Sequence, residues 1–194
     1  MRGLEQIPWL YDGLMRLAPG IARWRADLVA EASGRVLEVG CGTGLALAAY
    51  ADQVDWAVGI DPARQSLLRA QARLTAPLIC ASAQQLPFAS ASFDTVVSSL
   101  VFCSVPDPLA GLLEIRRVLK PNGRLLMLEH VQSSSRLVAF LLDRLQPAWT
   151  RISGGCHPNR HTEQLVEAAG FSIQPQPYRS RGVMRLFVAR PLAA

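Results

Sequence analysis

Residues 36–46 read VLEVGCGTGLA: a β-branched, apolar run gives way to Gly40, Gly42 and Gly44, each separated by one residue. Few local patterns restrict a chain more. The strand must end, the backbone must turn, and something must approach that turn so closely that side chains are removed at three positions. A glycine turn between the first strand and a helix, with an acidic residue about 20 positions on, is how open α/β sheets hold an adenosine-bearing cofactor. Asp61 stands 21 residues after Gly40, at the end of the next apolar run. A tight turn with no ligand is the bland alternative, and the strand before, the helix after and Asp61 in phase all weigh against it.

The rest of the chain supplies the sheet. Strand patterns fall at 35–39, 56–60, 78–81, 93–99 and 124–129, with helical patterns over 45–51, 62–74 and 108–119 between them. Such alternation predicts a parallel sheet with helices on both faces. Asp61-Pro62 and Asp107-Pro108 each offer an N-cap acceptor followed by a proline at the first helical position. Lys120-Pro121-Asn122-Gly123 closes the third helix, and its Asn-Gly pair is expected to supply positive φ. A helix over 160–169 ends at Gly170, and strands over 172–177 and 184–190 should then form an antiparallel hairpin. Two N-terminal helical segments, 10–18 and 21–32, are broken at Pro19-Gly20; they are expected to cover the sheet's carboxyl edge rather than lie on a membrane. The fold class expected is α/β, a Rossmann-like, seven-stranded, mostly parallel sheet with a C-terminal antiparallel hairpin. One domain is expected over 1–194: a helical cover to residue 33, a cofactor-binding core over 34–130, and a lid helix, helix and hairpin after it.

Spacing narrows the ligand. A dinucleotide fingerprint would place its third glycine at position 45, which is Leu45, so NAD is disfavoured. Glu38 lies two residues before the first glycine. Its carboxylate suits a cationic amino group and would repel a pyrophosphate.

Four stretches in order, VLEVGCGTG, AVGIDPA, SAQQLPFASASFD and VPDPLAGLLEIRRVLKPNGRLLMLEHV, resemble class I S-adenosylmethionine-dependent methyltransferases of the ubiquinone/menaquinone-methyltransferase-like superfamily. The resemblance covers residues 36–130 and implies S-adenosylmethionine as cofactor. It implies that Glu38, Gly40, Cys41, Gly42, Thr43 and Gly44 surround the methionyl part, that Asp61 with Pro62 binds ribose, and that Ser82, Ala83 and Gln84 line the adenine site. Ser99, Leu100 and Val101 would line the methyl-transfer cleft, and Tyr11 would cover the cofactor. Two positions depart from the pattern: Ser82 replaces the usual Asp, and Ser66 stands where many relatives place a bulky apolar residue over the adenine.

LVFCSV at 100–105, LEHV at 128–131 and QPAWTRISGGCHPNRHTEQLVEAAGF at 146–171 are similar to animal alkyl thiol methyltransferases and their bacterial relatives, a group close to bacterial phospholipid N-methyltransferases. A small lipophilic acceptor is implied, thiol first, with a phospholipid amine or quinone carbon as alternatives. His130, just past the fifth strand, is the expected catalytic residue, where ligands bind in such sheets; His157 and His161 are weaker candidates. Cys156 beside His157 has no further ligand at metal spacing, so no metal site is expected. The apolar stretch 136–150 reads as a lid helix over a lipophilic substrate, as a face touching a membrane surface, or as core packing. Outside methyl transfer, an NAD-linked oxidoreductase and a non-catalytic cofactor-binding protein remain as competing classes.

Composition excludes little more. Four cysteines lie far apart with no CxxC pair, which argues against a disulfide framework. The net charge of +5 resides in the second part of the chain, but basic clusters interleaved with aromatics are missing, so no nucleic-acid module is expected. No apolar run reaches membrane-spanning length and the first residues lack a secretory-signal pattern, so the expected setting is the cytoplasm, with peripheral membrane contact open.

Overall fold

The computed structural model describes residues 7–50, 54–133 and 135–193. The expected cover therefore loses residues 1–6, and the expected helix over 45–51 loses its last residue, to positions outside the described residues.

Two helices, α1 (Pro8–Arg16) and α2 (Pro19–Ala30), precede β1 (Gly34–Val39). Then come β2 (Val54–Asp61), α3 (Arg64–Gln71), β3 (Leu78–Cys80), β4 (Phe93–Ser99), α4 (Pro108–Val118), β5 (Leu119–His130), α5 (Arg136–Ser153), α6 (Thr162–Ala168), β6 (Phe171–Arg181) and β7 (Met184–Pro191). The strands form one seven-stranded sheet in the order β3-β2-β1-β4-β5-β7-β6. β1 to β5 run parallel, and β7 pairs antiparallel with both β5 and β6, as the alternation and the terminal hairpin predicted.

Period-two alternation divides the core between the two faces. Leu37, Val39, Val58, Ile60, Leu125, Met127 and Phe187 pack with Leu112 and Ile115 of α4 and Val166 of α6. Their neighbours in sequence, Val36, Leu126, Leu128, Leu186 and Val188, pack on the other face against Leu28 of α2 and Ala32 just after it. Strand order reverses direction between β1 and β4, so the carboxyl ends of those two strands open onto a crevice where ligands of such sheets bind.

Several local expectations are corrected. The helix expected over 45–51 is a single 3-10 turn, Leu47–Ala49, because the chain is already extended at Tyr50, with φ −66° and ψ 133°. α3 starts at Arg64 rather than Pro62: Asp61 does not cap it but accepts the Ala63 N–H at 2.7 Å as part of the turn. Pro19-Gly20, expected to stand between the two helical segments, is the first turn of α2, which runs to Ala30. Asp107 caps α4 as expected, accepting the Ala110 N–H at 3.0 Å. After α4 there is no positive-φ turn at Asn122-Gly123; the chain enters β5 at once, and the extra residues form a bulge opposite β4. Pro121 forces extended backbone before it. Gly123 is small because an added Cβ would lie 2.8 Å from Leu119, not because of its φ.

Candidate functional site

One cavity of about 860 Å³ opens over the carboxyl ends of β1, β2, β4 and β5. Its walls include Tyr11, Glu38, Gly40, Cys41, Gly42, Thr43, Asp61, Pro62, Ser82, Ala83, Gln84, Ser99, Leu100, Val101 and His130, fifteen of the sixteen positions expected from sequence. Gly44 is not among them. There an added Cβ would fall 2.5 Å from Leu74, so this glycine lets the turn pack against the residues following α3.

The other two glycines differ again. At Gly40, φ is +67° and a Cβ would lie 2.4 Å from Val101 Cγ2, so its bareness lets β1 run close under the β4 loop. At Gly42, φ is +53° and a Cβ would meet nothing within 4 Å. That position faces the cavity. The space beside it is a cradle for something that is not protein.

Two carboxylates flank the turn. Asp61, the last residue of β2, accepts the Gly42 N–H on Oδ2 at 2.9 Å and the Ala63 N–H on Oδ1, and burial raises its pKa. Each oxygen keeps a second lone pair for a hydroxyl donor. Glu38, near the end of β1, is 3% exposed, and its Oε2 has no hydrogen-bond partner. The Tyr50 hydroxyl is near but completes no hydrogen bond either. Burial pushes the Glu38 carboxyl up to about 8. A buried, unpartnered acceptor costs stability unless a donor arrives. A cationic amino group entering the cavity would supply it, so the residues present fit the aminocarboxypropyl and ribosyl ends of S-adenosylmethionine. Ser66 also lines the wall, and Ser82 Oγ accepts the Gln84 N–H at 3.2 Å.

Sequence reading missed the clamp above this end. Asp12 of α1 is buried and accepts Thr43 Oγ1 at 2.6 Å, Arg69 Nε at 2.5 Å and an Arg73 guanidinium nitrogen. Arg25 of α2, 7% exposed, donates from Nε to Ser99 Oγ at 3.3 Å and from Nη2 to the Tyr11 hydroxyl at 3.2 Å. Both residues sit on helices whose dominant local pattern is the apolar stripe.

At the other end, Glu129 is fully buried and organises the loop after β4. Its Oε1 accepts from Ser98 Oγ at 2.9 Å and from the Val101 and Phe102 N–H groups at 3.1 Å each, while Oε2 accepts the Cys103 N–H at 3.4 Å. Burial raises its pKa. Arg160 Nη1 donates to the Phe102 and Val105 carbonyls of the same loop. These contacts hold Leu100 at φ +61°, a left-handed conformation that needs such support outside glycine.

Beyond that loop the wall is made by Cys103, Ser104, Val105, His130, Trp149, Ser153 and Gly154. His130 Nδ1 lies 3.9 Å from Cys156 Sγ. Ligand atoms of Cys103, His130 and Cys156 all lie within 4.8 Å of one another, the only such group of three among the described residues. Each belongs to a different one of the three stretches similar to thiol methyltransferases. The Cys103 thiol, with His130, favours the thiolate at Cys156, while Cys103 itself is pushed up. Cys156 is thus not paired with its neighbour His157, whose Nδ1 turns to the Gly155 carbonyl at 2.9 Å. His157 and His161 line a separate hollow with Arg160.

Compared with known proteins, residues 37–127 match the family model described as "Methyltransferase domain". The chain is 43% identical over 97 residues to the thiol S-methyltransferase TMT1B of Rattus norvegicus, a match covering 47% of this chain and 40% of that protein. It is 35% identical over 168 residues to the Homo sapiens protein of the same name, covering 76% of this chain and 67% of that one. A putative methyltransferase structure from Bacillus halodurans superposes with a TM-score of 0.73 at 18% identity, covering 89% of this chain and 99% of that one. This last likeness is one of fold.

Proposed function

Because this chain belongs to the S-adenosylmethionine-dependent methyltransferases, we propose that it moves a methyl group to a small lipophilic acceptor, a thiol before an amine lipid or a quinol. The observation that carries the reading is one continuous cavity. Glu38 and Asp61 stand at one end, and Cys103, His130 and Trp149 at the other.

S-adenosylmethionine, when bound, supplies an electrophilic methyl group on a positively charged sulfur. Everything else falls to the chain. Glu38 takes the amino group, Asp61 the ribose hydroxyls, and the Gly42 cradle admits the ligand against the backbone. Ser99, Leu100 and Val101, fixed through Glu129 and Arg25, form the waist between the two ends. Holding donor and acceptor at attack distance is worth about 7–11 kcal/mol in well-oriented systems. A thiolate approaching a sulfonium cancels charge, so an apolar chamber assists and no strong base is essential. His130 is the residue we assign to orient the acceptor.

The setting we propose is cytoplasmic with peripheral membrane contact. Leu14 of α1 and Trp149 of α5 both line the cavity and remain 43% and 45% exposed. Trp9 on α1, Leu17 just after it, and Leu137, Phe140, Leu141 and Leu145 on α5 are exposed apolar side chains of the same two segments. Among the described residues no helix is long and apolar enough to cross a membrane, so such contact would lie in the interface. Flotation with phosphatidylcholine/phosphatidylglycerol vesicles tests it; a chain left at the bottom of the gradient removes the membrane from the proposal.

Thermal shifts with S-adenosylhomocysteine and with NAD test the cofactor. At 100 times Kd a ligand stabilises by about 2.7 kcal/mol. Methyl-labelled cofactor offered with alkanethiols, phosphatidylethanolamine and quinols then identifies the acceptor: label on thiols supports the reading, and label on the amine lipid or quinol alone overturns it.

A further inference from the structure

We infer that Cys103, Cys156 and His130 form a binding site for a soft divalent cation, zinc(II) being the fitting probe, with its fourth coordination position open to the acceptor end of the cavity. The inference rests on the thiol reading for its chemical purpose, and on the three side chains alone for its existence.

Geometry comes first. Zinc bound to sulfur at about 2.3 Å and to nitrogen at about 2.0 Å, in tetrahedral array, sets its ligand atoms about 3.5–3.8 Å apart. His130 Nδ1 and Cys156 Sγ are already 3.9 Å apart, and all three ligand atoms lie within 4.8 Å of each other. Closing the set takes side-chain adjustments below an ångström or so. Two thiols and an imidazole form a donor set for zinc or a similar thiophilic metal, not for magnesium or calcium. Three protein ligands with one open position is also how a zinc ion that touches substrate is usually held.

The supports are in place. Cys103 comes from the loop held by Glu129, and its carbonyl accepts the His157 N–H at 2.8 Å. Cys156 is fully buried; its N–H donates to Ser153 Oγ at 3.2 Å and its carbonyl accepts Thr150 Oγ1 at 2.9 Å. His130 is fixed as the last residue of β5, opposite Met184 of β7. Such secondary contacts orient ligands before a metal arrives. Cys103 and His130 line the cavity and Cys156 is fully buried outside its lining, so a ligand completing the set would reach it from the acceptor chamber.

Two thiolates neutralise a divalent cation. A thiol R–SH whose sulfur takes the fourth position releases its proton to solvent and keeps the S–H electron pair on sulfur. The site then carries one negative charge, opposite in sign to the donor that the other end of the cavity accommodates. The sulfur becomes nucleophilic near neutral pH without a general base.

The test uses the full chain, reduced and stripped of metal by a chelator, then equilibrated with zinc(II) and, separately, cobalt(II). One equivalent of zinc is expected, and cobalt should give the thiolate charge-transfer and tetrahedral ligand-field bands. C103S, C156S and H130Q should each weaken zinc binding by about 100-fold or more, while C80S, at an exposed thiol of β3, leaves it unchanged. Adding an alkanethiol to the cobalt form, with no methyl donor present, should shift the spectrum. Absence of stoichiometric binding, binding indifferent to all three substitutions, or a Cys103–Cys156 disulfide that takes up no zinc after reduction overturns the site. Should a serine variant fail to fold, the cobalt spectrum of the unaltered chain still decides. Verified zinc-free protein that methylates an alkanethiol at full rate removes the metal and keeps the thiol reading. Zinc bound by these three ligands, with label reaching only non-thiol acceptors, keeps the site and removes that reading.

Discussion

Thr43 Oγ1 donates to Asp12 Oδ1 at 2.6 Å, and this contact ties helix α1 to the glycine turn. Burial alone would raise the Asp12 pKa, but the hydrogen bonds from Arg73, Thr43 and Arg69 hold it below the usual range. A depressed carboxyl contributes stability that is present at neutral pH and lost as pH falls through its folded value. Asp12→Asn is expected to cost about 1–2 kcal/mol at pH 7, discounted because Arg69 is 40% exposed, and to flatten the acid limb of a Tm-against-pH profile. Cofactor affinity should fall with it, since α1 also carries Tyr11.

Asp61→Ala should weaken S-adenosylhomocysteine binding by about 10- to 100-fold. Removing an ionised acceptor from two hydroxyl donors costs roughly 1.5–3 kcal/mol. Isothermal titration measures it, and unaltered affinity would take ribose recognition away from this residue.

Gly42→Ala separates fold from site. The αL strain is about 1–2 kcal/mol, and no protein atom stands within 4 Å of the new methyl group. The variant is therefore expected to fold, with Tm lowered by a few degrees, and to lose cofactor binding by about 100-fold or more. Gly40→Ala, colliding with Val101, should instead lower stability and binding together.

Glu38 carries its proton in the ligand-free protein at neutral pH, its pKa raised to about 8 by burial. A raised carboxyl makes the folded state bind more protons than the unfolded, so stability of the free chain declines as pH climbs from the ordinary carboxyl range toward 8. A cationic amino group favours the carboxylate, so binding at pH 7 should release close to one proton. Titrations in buffers of different ionisation enthalpy measure that release, which should vanish above about pH 9 and in Glu38→Gln.

Glu129→Gln keeps the size of the side chain but presents an N–H₂ to a cluster of donors. Leaving one buried N–H unsatisfied costs about 1–3 kcal/mol. Both Tm and methyl transfer should fall, with little change in affinity for S-adenosylhomocysteine, because this residue holds the Cys103 end of the cavity.

The sheet and the glycine-turn end of the cavity were legible because both are written in contiguous residues. Apolar runs bounded by turn residues mark β1, β2 and β4, and the turn, Glu38 and Asp61 follow at fixed offsets. What escaped notice is assembled across the fold. Cys103, His130 and Cys156 are separated by 27 and then 26 positions and meet only because β4, β5 and the loop after α5 end at the same edge. Nothing local marks Asp12 and Arg25 on their amphipathic helices, and only the packing of those helices over the turn buries them. Local rules failed where competition decided the outcome: Asp61 could cap a helix or brace the turn, and it does the latter. Asn122-Gly123 could turn with positive φ, but it is taken into β5 as a bulge opposite β4.

β7 follows β6 in the chain yet lies inside it in the sheet, between β6 and β5. Any partly folded chain in which β5 has formed without β7 therefore exposes the hydrogen-bonding edge of β5, and Met184 takes its place opposite His130 only when the hairpin adds on. The His130 end of the cavity is complete only once the terminal hairpin is in the sheet. Until then that edge is an unpaired rim along which chains can associate, so refolding yield is expected to fall as protein concentration rises.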